Sequence, residues 1–297
     1  MIAVLGGLGA AAAWAASTLC SSRSSRMIEP MAVVAWVMLV GLVITAPLAA
    51  ADGVPPALHG SVLWWLALSG AGNVAGLVIS YDALRIGQVS LVAPIVSTEG
   101  AIAALISILT GQSLAPSVAA TLAVIAVGVG LASSAPSEIP GSEPAGSAAA
   151  ATAAAPTRRH GSAAAILAAV AAVAFGASLY ATGRAGARLP SSWVVLAARL
   201  IGVAALALPL AVRGRLRLTR PAAPLVIGSG ICEVAGFYAY TFASRHGIAV
   251  AAVLASQFAV LALIGSYVLF RERLHWIQLT GVGCVIVGVA LLSALRA

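Results

Sequence analysis

Three charged side chains, Glu99, Arg199 and Glu233, each stand near the middle of an apolar stretch long enough to span a bilayer. A charge at that depth costs on the order of a few kcal/mol even on lenient insertion scales, so such residues usually face a cavity or one another and serve passage of a solute or proton. A carboxylate there can take up a proton or hold a cationic group, and a guanidinium can clamp a carboxylate through two parallel hydrogen bonds. The competing reading for all three is an internal ion pair that only ties helices together.

The elements that carry these charges are read from composition. Of 297 residues, 61% are hydrophobic and 8% charged, where soluble domains run to about one quarter charged, and the mean hydropathy is +1.06. An all-α integral membrane protein is expected, with no extramembrane catalytic domain. The apolar runs lack the alternation of a membrane barrel, and only helices satisfy their own backbone groups in lipid. Ten spans are expected: 2–20, 31–51, 61–81, 88–109, 115–134, 162–182, 191–212, 222–242, 248–270 and 275–295. The first is read as a span, not a cleaved signal, because no positive segment precedes it.

Net charge is +8, and all 16 basic residues are Arg. They lie almost entirely between apolar runs, so they read as topology anchors and not as a nucleic-acid surface. Cys20, Cys232 and Cys284 are isolated in apolar runs, and His59, His160, His246 and His275 sit in loops or at span ends. Neither pattern makes a metal site or a disulfide framework. No nucleophile elbow, HExxH or P-loop is present. Neither an enzyme nor a cofactor is expected, and nothing in the chain would drive pumping by ATP.

The break at 135–161 is rich in Pro, Gly, Ser and Ala and reads as a flexible linker between five spans and five spans, at 2–134 and 162–295. A shift of 160 residues aligns the halves without a gap: Ser69 and Gly70 fall on Ser229 and Gly230, Val74, Ala75 and Gly76 on Val234, Ala235 and Gly236, and Ala83, Arg85 and Gly87 on Ala243, Arg245 and Gly247. The register persists through Val127, Gly128 and Val129, which fall on Val287, Gly288 and Val289. With an odd number of spans per repeat, the second half enters from the opposite side. Such inverted repeats place their substrate site near the midplane.

Each charge carries two readings. Glu233 shares a helical face with Ser229, Gly230, Gly236, Phe237 and Tyr240, and its repeat mate Asn73 is flanked by Ser69, Gly70, Gly76, Ser80 and Tyr81. Both faces suit a cavity, or close packing through small residues. Glu99 follows Pro94, which can kink its helix and free a carbonyl. It is read as a proton- or substrate-binding group, or as a partner of Arg199. Arg199 is a substrate clamp or a structural partner, and its approximate mate, aligned through Gly41 and Gly202, is Met38. Gln257, aligned with Ser97, is a further polar lining candidate. Trp64 and Trp65 suit the membrane interface, whereas Trp14, Trp36, Tyr180, Tyr238, Tyr240 and Tyr267 lie deeper, where they serve packing or stack on a cargo.

The chain resembles the drug/metabolite transporter superfamily, in particular its EamA-type ten-helix members. The resemblance rests on Gly247, Ala249, Ser256, Phe270, Arg271, Glu272, Leu274, Gln278, Gly281 and Gly288 in the second half, and on Gly87, Pro94, Gly111, Leu114 and Gly128 in the first. Gln112 stands where the family's turn is usually acidic, and Arg271 where it has Gly. The resemblance implies secondary transport of metabolites or drugs, without naming the cargo, in a bacterial inner membrane.

Topology divides two expectations. Alternating spans put Arg184, Arg188, Arg245 and Arg296 on one side, and Arg23, Arg26, Arg85, Arg158, Arg159, Arg213, Arg215, Arg217, Arg220, Arg271 and Arg273 on the other. The excess of positive charge favours both termini outside, whereas the resemblance implies both inside. A reporter fused at Ala297 distinguishes them.

The expected function is export of small polar or amphipathic metabolites such as amino acids or drugs, possible with proton coupling, through a midplane cavity lined by Asn73, Glu99, Arg199, Glu233, Tyr240 and Gln257. Its partners would be the cargo, protons and the lipid bilayer, as a monomer or homodimer. The other reading is a membrane assembly or lipid-flipping protein whose buried charges are structural.

Overall fold

The computed structural model describes residues 1–86, 92, 95–132, 158–270 and 276–296. Within them every regular element is helical: α1 (Ile2–Ser24), α2 (Pro30–Asp52), α3 (Ser61–Ile86), α4 (Glu99–Leu109), α5 (Pro116–Ala132), α6 (Arg158–Gly186), α7 (Ser191–Gly202), α8 (Ala223–Ser244), α9 (Ile248–Ala255), α10 (Phe258–Phe270) and α11 (Trp276–Arg296). Pro94, the linker residues 135–157, the turn at 271–275 and the side chain of Tyr267 lie outside the described residues.

Among the described residues, six helices are long and apolar enough to cross a membrane: Ile2–Ser24, Pro30–Asp52, Ser61–Ser80, Ser162–Gly186, Ser191–Val212 and Ala223–Ser244. The other apolar helices, Glu99–Leu109, Pro116–Leu131, Ile248–Ala262 and Leu279–Val289, are shorter. Helix ends follow local chemistry. Pro30 opens α2, where a missing N–H costs nothing, and Gly53 closes it at φ 69, its N–H on the Ala50 carbonyl. α6 begins at Arg158, ahead of the expected linker end at 161.

Three expected spans depart from regular helix. After Gly202 the chain widens into a π turn, Val203–Ala207, before Leu208–Val212. Pro209 cannot donate to the Ala205 carbonyl, and its ring would clash there, which a widened turn relieves. The spans expected at 88–109 and 248–270 are interrupted at Ser97–Thr98 and Ser256–Gln257. Side chains bond the local carbonyls at both breaks: Thr98 Oγ1 donates to Ile95 O at 2.7 Å, and Ser256 Oγ and Gln257 Nε2 each donate to Val253 O at 2.8 Å. Such local bonds compete with the helical ladder.

The two halves are interlaced. α1 packs along α8, and α6 along α3, so the first helix of each half lies against the third helix of the other. α2 meets α7, α4 meets α9, and α5 meets α11. Ala3, Val4 and Leu292 share one apolar cluster, which brings both ends of the chain to the same end of the bundle.

α4 and α9 cross closely. A Cβ on Gly100 would stand 2.5 Å from Ser256 Oγ and 2.6 Å from the Ala252 carbonyl oxygen. That oxygen is backbone and cannot swing away, so Gly100→Ala must push the helices apart. Overpacking of this kind costs about 1–3 kcal/mol. The variant is expected to unfold in detergent at a midpoint several degrees below the parent, at about 2–4 °C per kcal/mol. An unchanged midpoint would mean the crossing is looser than described.

Candidate functional site

Arg199 lies in the last turn of α7, just before the π turn, and is completely buried. Its stem fits because position 41 on α2 is glycine: a Cβ there would stand 2.8 Å from Arg199 Cδ and 3.0 Å from Nε. Nη2 lies 3.7 Å from Glu233 Oε1, Nη1 donates to Met38 Sδ at 3.1 Å, and Cζ sits 4.8 Å from the centre of the Phe237 ring. The ion pair is long, and Nε and Nη2 have no hydrogen-bond partner among the described residues. A buried guanidinium with two idle donors is an incomplete arrangement, since buried polar groups are nearly always satisfied.

Glu233 is 21% exposed and projects from α8, where Gly230 and Gly236 let α2 and α1 approach. Oε1 faces Arg199, and Oε2 accepts a hydrogen bond from Ser17 Oγ at 3.4 Å. Ser17 Oγ lies 2.8 Å from Ser229 Oγ, which is 2.7 Å from Ser21 Oγ. The carboxylate therefore joins a guanidinium on one side to a cluster of hydroxyls on the other.

Glu99 heads α4 at the break in its helix and is buried. It feels the charge of Glu233, and Tyr240 in turn feels the charge of Glu99. A second carboxylate thus stands within electrostatic reach of the Arg199–Glu233 pair's acidic member. When all three are ionised, one negative charge is left over.

The ion pair of Arg199 in this site is with Glu233. Asn73 is half-buried on α3. Tyr240 is fully buried, and its hydroxyl donates to the Leu179 carbonyl at 2.8 Å, so its polar atom ties α8 to α6. Gln257 is buried at the α9–α10 break, with Oε1 unpartnered among the described residues. Trp14 links these parts: its ring is 5.2 Å from Phe237 in an edge contact, 6.0 Å from Tyr240 and 6.4 Å from Phe258. Trp14 Nε1 is another buried donor without a partner. Of the interfacial candidates, Trp64 is exposed while Trp65 packs edge-on to Tyr180 beneath Arg184.

Sequence reasoning missed Ser17 and Ser21 as neighbours of the charged pair, and missed that Met38 touches Arg199. Ser17 and Ser21 at four-residue spacing on an otherwise apolar helix were a usable signal.

A family model described as "EamA-like transporter family" matches residues 1–134 and again 162–294. No curated protein matches. Chains of known structure do match, 27 in all. One crystal structure superposes with a TM-score of 0.79 at 18% identity, over 99% of this chain and 96% of the other, a likeness of fold alone.

Proposed function

Because the chain belongs to the EamA-like transporter family, we propose that it is a proton-coupled secondary exporter of small polar or amphipathic metabolites, such as amino acids or drugs, in a bacterial cytoplasmic membrane. In this reading ten spans form two inverted five-helix repeats that rock about a site at Asn73, Glu99, Arg199, Glu233, Tyr240 and Gln257. The observation that carries it is Arg199, buried, held at 3.7 Å from its counter-ion and with two donors idle. A guanidinium kept only as glue would be expected to have its donors filled, because an unpaired buried donor costs about 1–3 kcal/mol.

Contacts exchanged between the halves support the inverted repeat. Gly41 packs on Arg199 while its mate Gly202 packs on Met38, and Gly76 packs on Phe175 while its mate Gly236 packs on Trp14. A two-fold axis between the halves generates such reciprocal pairs.

The chemistry follows from charge balance. An anionic group on the cargo competes with Glu233 for Arg199 and can accept its idle donors. Uptake of a proton by either carboxylate removes the surplus negative charge, and uptake by Glu233 itself releases it from the guanidinium. Proton and anionic group are thereby linked through one arginine. Cations compete for the same carboxylates.

The test compares metabolites in the medium of cells that overexpress the parent, Glu99→Gln or Glu233→Gln, at matched protein levels, with flux of the enriched compound then followed in proteoliposomes. Loss of a charged hydrogen-bonding partner is worth about 1.5–3 kcal/mol, so export is expected to fall at least about tenfold with Glu233→Gln. Parent-like flux with unchanged pH dependence in both variants would overturn the proposal.

A further inference from the structure

We propose that Ser21, Ser229 and Ser17 form a proton relay that connects Glu233 to the Arg-rich end of the bundle, and that the equivalent hydroxyls of the other half form no such relay. The inference rests on the reading of Glu233 as a proton-accepting group.

The three oxygens lie in sequence between the end of α1 and the carboxylate. Ser21, one turn from the end of α1, is half-buried, and its neighbours Ser22 and Arg23 are exposed. Its Oγ is 2.7 Å from Ser229 Oγ, Ser229 Oγ is 2.8 Å from Ser17 Oγ, and Ser17 Oγ donates to Glu233 Oε2 at 3.4 Å. Each hydroxyl has one proton to give and lone pairs to receive one. In the transfer a proton from solvent binds Ser21 Oγ, Ser21 passes its own to Ser229 Oγ, Ser229 passes its own to Ser17 Oγ, and Ser17 protonates Glu233 Oε2. One proton enters and one arrives. Every serine ends neutral, and rotation of the hydroxyls restores the starting order.

The repeat supplies the comparison. Ser17 and Ser21 shift by 161 residues onto Ser178 and Thr182, in the register that relates Gly41 to Gly202, and Ser229 is the mate of Ser69. Those mates also meet: Ser69 Oγ is 2.5 Å from Thr182 Oγ1. There two hydroxyls donate to the backbone at short range, Thr182 to Ser178 O at 2.8 Å and Ser178 to Ser69 O at 2.6 Å, whereas in the first cluster Ser229 alone makes such a contact, a longer one of 3.2 Å to Ser17 O. Thr182 is completely buried, and the residue in the place of Glu233 is Asn73, an amide that takes up no proton. Gly183 and Gly186, just beyond Thr182 on α6, meet Ser244 and Thr241 at the end of α8 remote from Ser229, so this second cluster lies toward the other end of the bundle. The same architecture is therefore a relay on one side and a closed knot on the other.

The charged groups near Glu233 are Arg199 of α7, at 3.7 Å, and Glu99 of α4, which lies within reach of the Glu233 charge. From α1 it receives hydroxyls, and α2 presents Met38 and Gly41 to this neighbourhood. Loss of a serine hydroxyl removes none of these charges. Loss of the Ser229 or Ser21 hydroxyl also leaves the Ser17–Glu233 hydrogen bond in place, so it should slow the proton with little change in where Glu233 titrates.

The experiment is a pH jump on the full-length protein in detergent, with the proton as probe, following the infrared carbonyl stretch of protonated Glu233, assigned by its absence in Glu233→Gln. Ser229→Ala is expected to slow protonation at least about tenfold, as loss of a positioned transfer group does, with the same final amplitude. Ser69→Ala is expected to match the parent. Ser21→Ala, at a half-buried position that does not touch Glu233, repeats the measurement should Ser229→Ala fail to fold. Parent-like rates in the folded serine variants would overturn the relay while leaving Glu233 as the proton site. Equal slowing by Ser69→Ala would overturn it as well, in favour of general loosening. No Glu233 band in the parent at any pH would sink the reading of Glu233 itself, and the relay with it.

Discussion

Arg199→Leu is expected to cost the folded protein about 3–5 kcal/mol, because it leaves Glu233 without its counter-ion at 3.7 Å. Arg199→Leu combined with Glu233→Leu should recover most of that loss, since replacing a buried pair by apolar residues is often neutral or stabilising. Transport should stay abolished in both. The contrast separates glue from function. Thermal unfolding in detergent and flux in proteoliposomes, measured on the same preparations, give the two readouts. If the double variant regained flux along with stability, Arg199 and Glu233 would be structural partners, and the site would lie elsewhere.

Gly41→Ala and Gly202→Ala are the same substitution at mated positions, yet they should behave differently. At Gly41 the new methyl meets Arg199 Cδ at 2.8 Å and Val234 Cγ2 at 3.3 Å. The guanidinium is already held by Glu233, Met38 and the Phe237 ring, so its stem has little freedom to move. At Gly202 the methyl meets Met38 Sδ at 2.8 Å and Cγ at 2.9 Å. Methionine is unbranched and adaptable, and it can swing aside. Flux is expected to fall at least about tenfold with Gly41→Ala, as misplacement of a binding group by about 1 Å can cost a hundredfold. Gly202→Ala should fall less than Gly41→Ala. Equal losses would show that helix separation, and not the aim of the arginine, sets the rate.

The membrane class and helical content were legible because lipid leaves an apolar chain no other way to satisfy its backbone. The family model matches 1–134 and 162–294, the two stretches whose Gly, Ser and Arg residues align at a shift of 160. Less legible were the breaks at Ser97–Thr98 and Ser256–Gln257. They depend on hydroxyl and amide side chains taking local carbonyls, and the same residue types elsewhere leave helices intact: Thr45 Oγ1 bonds Gly41 O within an unbroken α2.

For the candidate site, residue types alone marked Glu99, Arg199 and Glu233 as the expensive charges of the chain, because the bilayer penalises them wherever they point. They could not say which carboxylate Arg199 meets. That was decided by the packing of α7 on α8 within the second half, which sets Arg199 against Glu233, while the interlacing of the halves lays α1 on α8 and brings Ser17 to Ser229 and Glu233. Nor could residue types say that the Tyr240 hydroxyl bonds the Leu179 carbonyl of α6. Depth in the membrane is a property of position along one helix, and it can be read from the chain. Partnership is a property of two helices far apart in sequence, and here it is decided by how closely their glycines let the backbones approach.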